Sequence, residues 1–119
     1  MSKILVVDDS GFARKQIIKR LPSELRDGVE QAADGEQAVA AYREHQPDLV
    51  LLDLTMPVLD GFGALDQIRS YDPKAKVIII TADIQAGARE RCEKSGASGF
   101  LSKPPSSEQI QEIIDELLH

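Results

Sequence analysis

Residues 47–57 read Pro-Asp-Leu-Val-Leu-Leu-Asp-Leu-Thr-Met-Pro. Four apolar residues, Leu49 to Leu52, run without a polar break into the carboxylate of Asp53. A half-exposed strand would alternate apolar with polar positions. An unbroken run bounded by prolines reads instead as a strand buried on both faces, as in a parallel sheet covered by helices on both sides. Open sheets of that kind bind ligands beyond the carboxyl ends of their strands. Asp53 stands at such an end, although Asp is also an ordinary turn residue there.

The rest of the chain repeats the pattern. Lys3 to Val7 is a β-branched apolar run that ends in Asp8-Asp9, and Ser10 is placed to cap a following helix. Phe12, Ala13, Ile17 and Leu21 are the expected inward positions of that helix, and Pro22 ends it. Gly28 to Ala33 reads as a short second strand. Asp34-Gly35 turns into a second helix with Ala38, Ala41 and Tyr42 on one side. After the central strand, Asp60-Gly61 opens a third helix whose Phe62, Leu65 and Ile68 share a face, and Asp72-Pro73 breaks it. Lys76 to Thr81 is a fourth strand ending in a hydroxyl.

A fourth helix is expected over about Gln85 to Lys94. It contains Gly87, and only Ala86, Ala88 and Cys92 are apolar within it, so it is weakly anchored. Phe100 to Ser102 is the fifth strand, followed by Lys103-Pro104-Pro105. Ser106 with Gln109 forms a capping box before a last helix striped by Ile110, Ile113, Ile114 and Leu117. Five strands alternating with five helices predict an α/β doubly wound parallel sheet with right-handed crossovers, flavodoxin-like, in the order 2-1-3-4-5. The 119 residues fit a single domain, 1–119.

Composition narrows the function. A net charge of −6 argues against nucleic-acid binding through the chain's own surface. One cysteine, Cys92, builds neither a disulfide framework nor a thiolate metal site, and a reducing cytoplasm is the expected location. No apolar run reaches the length of a membrane span, and the first residues lack a signal-peptide pattern. His45 and His119 are isolated and expected in solvent, so no Ser/His/Asp or Cys/His nucleophile is available.

The strand ends carry the chemistry. The first contributes Asp8 and Asp9, the third Asp53, the fourth Thr81, and the segment after the fifth Lys103. Singly, these are a helix-dipole charge, a turn residue, a strand residue and a solvated lysine. Together on one sheet edge they make a different proposition. Three neighbouring carboxylates repel one another unless a cation joins them, and an all-oxygen donor set of this kind suits Mg²⁺. A lysine and a hydroxyl beside such a cluster fit phosphoryl transfer to a carboxylate.

Val6-Val7-Asp8-Asp9-Ser10, Leu51-Leu52-Asp53-Leu54-Thr55-Met56-Pro57, Asp60-Gly61, Ile80-Thr81-Ala82 and Gly96 to Pro104 stand in one order along the chain. With these pieces the whole chain resembles the CheY-like receiver domains of bacterial two-component response regulators. The resemblance implies that Asp53 takes a phosphoryl group from a histidine kinase. It implies Mg²⁺ on Asp9 and Asp53 directly, on Asp8 through water and on the Thr55 carbonyl. Lys103 would pair with the phosphoryl group, Thr81 would turn its hydroxyl onto it, and Phe100 would swing inward. Such a domain catalyses only its own phosphorylation and dephosphorylation. Its partners would be a sensor kinase or a histidine phosphotransfer protein, and a downstream protein on the fourth-helix, fifth-strand and last-helix face near Gln85, Arg89, Phe100 and Ser102. A phosphorelay intermediate and a fragment of a longer regulator are alternatives of the same class. No direct nucleic-acid contact or membrane insertion is expected.

Two positions depart from the commonest pattern. Pro105 follows Lys103-Pro104 where a large apolar residue is frequent, and Phe100 replaces a tyrosine found in some members. Two other aspartate or phosphate chemistries fit less well. A haloacid-dehalogenase-type phosphatase needs a second acid at the position of Thr55, and a nucleotide-binding fold needs glycines where Asp8-Asp9-Ser10-Gly11 stands. An unphosphorylated interaction module would not need the set Asp8, Asp9, Asp53, Thr81 and Lys103.

Overall fold

The computed structural model describes residues 2–82 and 87–118. Strands β1 (Ile4–Val7), β2 (Glu30–Ala32), β3 (Leu49–Leu52), β4 (Val77–Thr81) and β5 (Gly99–Ser102) form one sheet in the order β2-β1-β3-β4-β5. Every neighbouring pair is parallel. The uninterrupted apolar strands are the interior ones: β1, β3 and β4 are buried at every residue. β2 buries only Ala32, and β5 none of its residues fully, as edge strands.

Alternate residues of each strand serve opposite faces. Leu5, Val7, Val50, Leu52, Val77 and Ile79 pack with α2 (Gly35–His45), α3 (Gly61–Tyr71) and α4 (Ala88–Lys94) through Ala38, Tyr42, Leu65, Ile68 and Cys92. Ile4, Val6, Leu49, Leu51, Ile78 and Ile80 pack on the other face with α1 (Gly11–Arg20) and α5 (Ser107–Leu118) through Ile17, Leu21, Ile110 and Ile114. The sheet is therefore covered on both sides, as the run at Leu49 requires. Each fully buried Leu, Ile or Val contributes about 1.5–3 kcal/mol.

The helix starts follow the caps in the sequence. Ser10 Oγ accepts from the Ala13 N–H at 3.1 Å, Asp34 from Gln37 at 2.8 Å and Asp60 from Gly63 at 2.9 Å. Ser106 and Gln109 exchange two side-chain bonds with each other's backbone, at 2.9 and 3.0 Å. The inward stripes hold with some losses: Phe62, Ala41, Ile113 and Leu117 are only partly buried.

Three expectations are corrected. Phe12 points outward, 73% exposed, because it lies five residues from Ile17, about 140° around a helix. Gly87 is not inside α4. It precedes the helix in the left-handed region at φ +90°, where α4 begins at Ala88. His45 is half-buried, with Nε2 3.7 Å from a carboxylate oxygen of Glu30 on β2. Gln85, Ala86 and His119 lie outside the described residues. Among the described residues no helix is long and apolar enough to cross a membrane.

Candidate functional site

The register brings the polar strand ends together. Val7 of β1 pairs with Leu52 of β3, so the next residues, Asp8 and Asp53, leave adjacent strands side by side. The Asp53 N–H extends the ladder to Val7 O at 3.1 Å, and Asp8 N–H reaches Ala32 O at 3.1 Å. Thr81 pairs with Ser102, and Lys103 N–H donates to Thr81 O at 2.9 Å. β1 and β3 flank the point where the winding reverses, the usual ligand position in such sheets.

Asp8 and Asp53 are 1% and 6% exposed, and Thr81 1%, while Asp9 is open to solvent. Carboxylate oxygens of Asp8, Asp9 and Asp53 lie within 4.8 Å of one another. Lys103 Nζ joins two of them, 2.5 Å from Asp8 Oδ2 and 3.1 Å from Asp53 Oδ2. Burial of the ammonium favours its neutral form, but the bonds and charges of Asp8 and Asp53 outweigh this and hold Lys103 above its usual pKa. One ammonium does not neutralise three carboxylates, so the cluster keeps a negative excess. The fit to a hard divalent cation rests on that excess and on an all-oxygen donor set.

The Asp53 carboxylate is fixed in rotation. Its Oδ1 accepts from the Leu54 N–H at 2.7 Å, and Oδ2 faces Lys103. The loop behind it is packed backbone on backbone. A Cβ on Gly61 would stand 2.2 Å from Asp53 O and 2.6 Å from Leu54 Cα, and one on Gly35 would stand 2.1 Å from Leu59 O. Only glycine allows either approach. Between these two points Val58 is 77% exposed and sits at φ +69°, a costly conformation for a β-branched residue.

Of the expected site residues, Asp8, Asp9, Asp53 and Lys103 converge. Thr81 lies at the end of β4, two strands from Asp8. Thr55 is exposed on the loop after Asp53. Phe100 is half-buried against the core, with the Arg89 guanidinium 6.0 Å from its ring centre. Pro105 is buried, and the Lys103–Pro104 peptide is cis. The direct bond of Lys103 to Asp8 was not read from the sequence. Nor was the role of Gly35, for which Asp34-Gly35 signals only a turn.

An open parallel sheet with three carboxylates and a lysine at its switch point is the architecture of a signalling receiver. The family model described as response regulator receiver domain matches residues 4–115, and the chain belongs to that family. It is 40% identical over 118 residues to Protein CcdB of Bacillus subtilis (strain 168), covering 99% of this chain and 98% of that one. It is 38% identical over 117 residues to the chemotaxis protein CheY of the same organism, covering 98% of each. Among solved structures, CheY in the CheX-CheY-BeF3-Mg+2 complex from Borrelia burgdorferi matches with a TM-score of 0.92 at 35% identity, over 99% of this chain and 90% of that chain. The Asp8, Asp9 and Asp53 cluster is thus the phosphoacceptor site of a CheY-type receiver. Its chemistry is confined to its own phosphorylation and dephosphorylation.

Proposed function

We propose that residues 1–119 act as one receiver domain in which Asp53 is the phosphoacceptor. The observation that carries this is the placement of Asp53: 6% exposed, rotationally held by Leu54 N–H, and bonded to Lys103. A carboxylate oxygen of Asp53 attacks the phosphorus of a phosphohistidine. The phosphorus–nitrogen bond breaks, the imidazole leaves with its electron pair, and an acyl phosphate forms. Lys103 moves its ammonium from the carboxylates to the phosphoryl oxygens, and the Thr81 hydroxyl donates to another of them.

The relative solved with beryllofluoride and magnesium supports Mg²⁺ as the cation, and Asp8, Asp9 and Asp53 with the Thr55 carbonyl are the groups that would hold it. When bound, Mg²⁺ supplies the positive charge that lets a phosphoryl dianion approach this acidic cluster.

The partners follow from charge and anchoring. α1 carries Arg14, Lys15, Lys19 and Arg20 and no acid, in a chain of net charge −6. Beside it, Phe12, Gln16, Ile17 and Arg20 line an apolar groove with Lys103, Pro104 and Pro105. That groove, next to the lysine that pairs with the phosphoryl group, suits an acidic kinase or phosphotransfer protein bearing the phosphohistidine. The signal leaves through α4, β5 and α5, near Arg89, Phe100 and Ser102. Among its described residues α4 buries only the small side chains of Ala88 and Cys92, a light apolar anchor. Gln85, also expected on this face, lies outside the described residues.

Incubation with Mg²⁺ and acetyl phosphate should add one phosphoryl group, read by intact mass, and Asp53→Asn should abolish it. Equal labelling of the variant would refute the assignment. Hydrogen exchange with and without beryllofluoride should change most in α4 and β5. A change concentrated in α1 and α2 would refute the output face.

A further inference from the structure

Asp9 is the exposed member of the carboxylate cluster, and among the described residues its carboxylate accepts no hydrogen bond. With no side-chain bond to hold it, where that carboxylate can reach depends on the position of the backbone that carries it. That backbone is the Asp8–Asp9 peptide, whose carbonyl, Asp8 O, accepts from Arg14 Nη1 at 2.6 Å. Arg14 is itself tied across the molecule: its Nε donates to Gln31 Oε1 on β2 at 2.9 Å. Its guanidinium folds back over Gly11, where an added Cβ would touch Nη2 at 3.4 Å.

The position is unusual for a cation. Arg14 lies in the first turn of α1, which contains no acid, and the positive end of a helix dipole disfavours a guanidinium there. Simple attraction to the acidic cluster would bring it to a carboxylate. It reaches a carbonyl and an amide instead, and makes no ion pair among the described residues.

Resting on the proposed cation site, we infer that Arg14, with Gln31 behind it, is a positioning residue for that site. It holds the Asp8–Asp9 peptide so that Asp9 stays turned toward Asp8 and Asp53. The planar guanidinium bridges two acceptors on different elements, which a lysine ammonium on a flexible stem does not reproduce.

Electrostatics and positioning make opposite forecasts for cation affinity. Removing a positive charge near three carboxylates should tighten Mg²⁺ binding if charge alone matters. Removing the group that orients a ligand should weaken it about tenfold, the usual cost of losing an orienting partner.

The experiment is a Mg²⁺ titration by calorimetry on the wild type, Asp9→Ala, Arg14→Gln, Arg14→Lys, Gln31→Ala and the Arg14→Gln/Gln31→Ala pair, each with a urea midpoint taken in EDTA. Arg14→Gln and Arg14→Lys should both bind about tenfold more weakly. Gln31→Ala, at an exposed strand position, should bind about threefold more weakly, and should add nothing in the Arg14→Gln background. Tighter or unchanged binding by Arg14→Gln overturns the inference. So does full affinity in Arg14→Lys, or a Gln31→Ala effect that persists without Arg14. Should Arg14→Gln fail to fold, Gln31→Ala and Arg14→Lys decide alone. A wild type that binds no Mg²⁺, or an Asp9→Ala variant that binds it equally well, overturns the site itself. Arg14 variants that bind normally beside a weakened Asp9→Ala overturn only the role of Arg14.

Discussion

Removing the Asp9 carboxylate should make the metal-free protein more stable and the Mg²⁺-loaded protein comparatively less so. The sizes follow from the geometry. Asp9 has two like charges, Asp8 and Asp53, with oxygens within 4.8 Å. The Lys103 ammonium, bonded to both, attracts Asp9 from the same neighbourhood and offsets roughly one of them. One net repulsion remains, about 3.5 kcal/mol at that separation for an effective dielectric of about 20 and about 0.9 kcal/mol in bulk water. Asp9 is exposed, so the lower figure is the better guide. Asp9 also precedes the N-cap of α1, a helix with no acid in its first turn, and losing that favourable charge takes back about 0.5 kcal/mol. Asp9→Ala should therefore gain about 0.4 kcal/mol in EDTA.

Mg²⁺ at a hundredfold excess over its Kd adds about 2.7 kcal/mol to a protein that binds it only when folded. The variant should forgo most of this, so the order of the two proteins reverses on adding the metal. The chain has no tryptophan, so urea unfolding is best followed by far-ultraviolet circular dichroism. A variant less stable than wild type in EDTA would refute the repulsion. A midpoint that rises with Mg²⁺ as much as the wild type's would refute the ligand role.

Gly61→Ala should cost about 3 kcal/mol and slow acetyl phosphate labelling of Asp53, because the new methyl would meet Asp53 and Leu54 backbone that cannot swing aside; normal stability by urea titration would contradict this. Lys103 has a raised pKa, so the stability it contributes is present below its ordinary value of 10.5 and is lost as pH rises through the folded value; Lys103→Met should lack that alkaline limb in melts above about pH 10. The Tyr42 hydroxyl donates to Asp72 Oδ2 at 2.7 Å, and this bond, with one from the Lys74 N–H, holds the Asp72 carboxyl below its ordinary value of 3.8. The stability tied to that shift is present above the ordinary value and fades as pH falls through the folded one. Tyr42→Phe should lose about 1 kcal/mol at neutral pH and show a shallower acid limb, measured by thermal melts between about pH 2 and 6.

Much of the fold was legible because the interior strands announce themselves. Leu49 to Leu52, Ile4 to Val7 and Val77 to Ile80 are apolar on both faces, and only a doubly covered parallel sheet satisfies them. The site was legible for a related reason: side chains just after those strands must share an edge, so Asp8, Asp53 and Lys103 could be placed without coordinates. Phe12 was misread because Gly11 to Arg20 has too few apolar residues to fix the phase of a helix, and size suggested burial where spacing did not. Gly87 was placed inside α4 because a glycine in a weakly apolar segment does not reveal whether it interrupts a helix or precedes one. The contacts of Lys103 with Asp8, of Arg14 with Asp8 O, and of Gly35 with Leu59 O depend on distances between segments far apart in sequence. No local pattern carries them.

The backbone packing around Asp53 also sets a direction for mechanical load. On the side of α2 and α3, Leu59 O bears on Gly35 and Asp53 O bears on Gly61, at separations that leave no space for a methyl group. A close-packed contact resists compression, whereas open space does not. That side is an abutment: a displacement at Asp53 cannot be taken up toward α2 and α3 by compressing these contacts, and the two glycines act as a thrust bearing behind it.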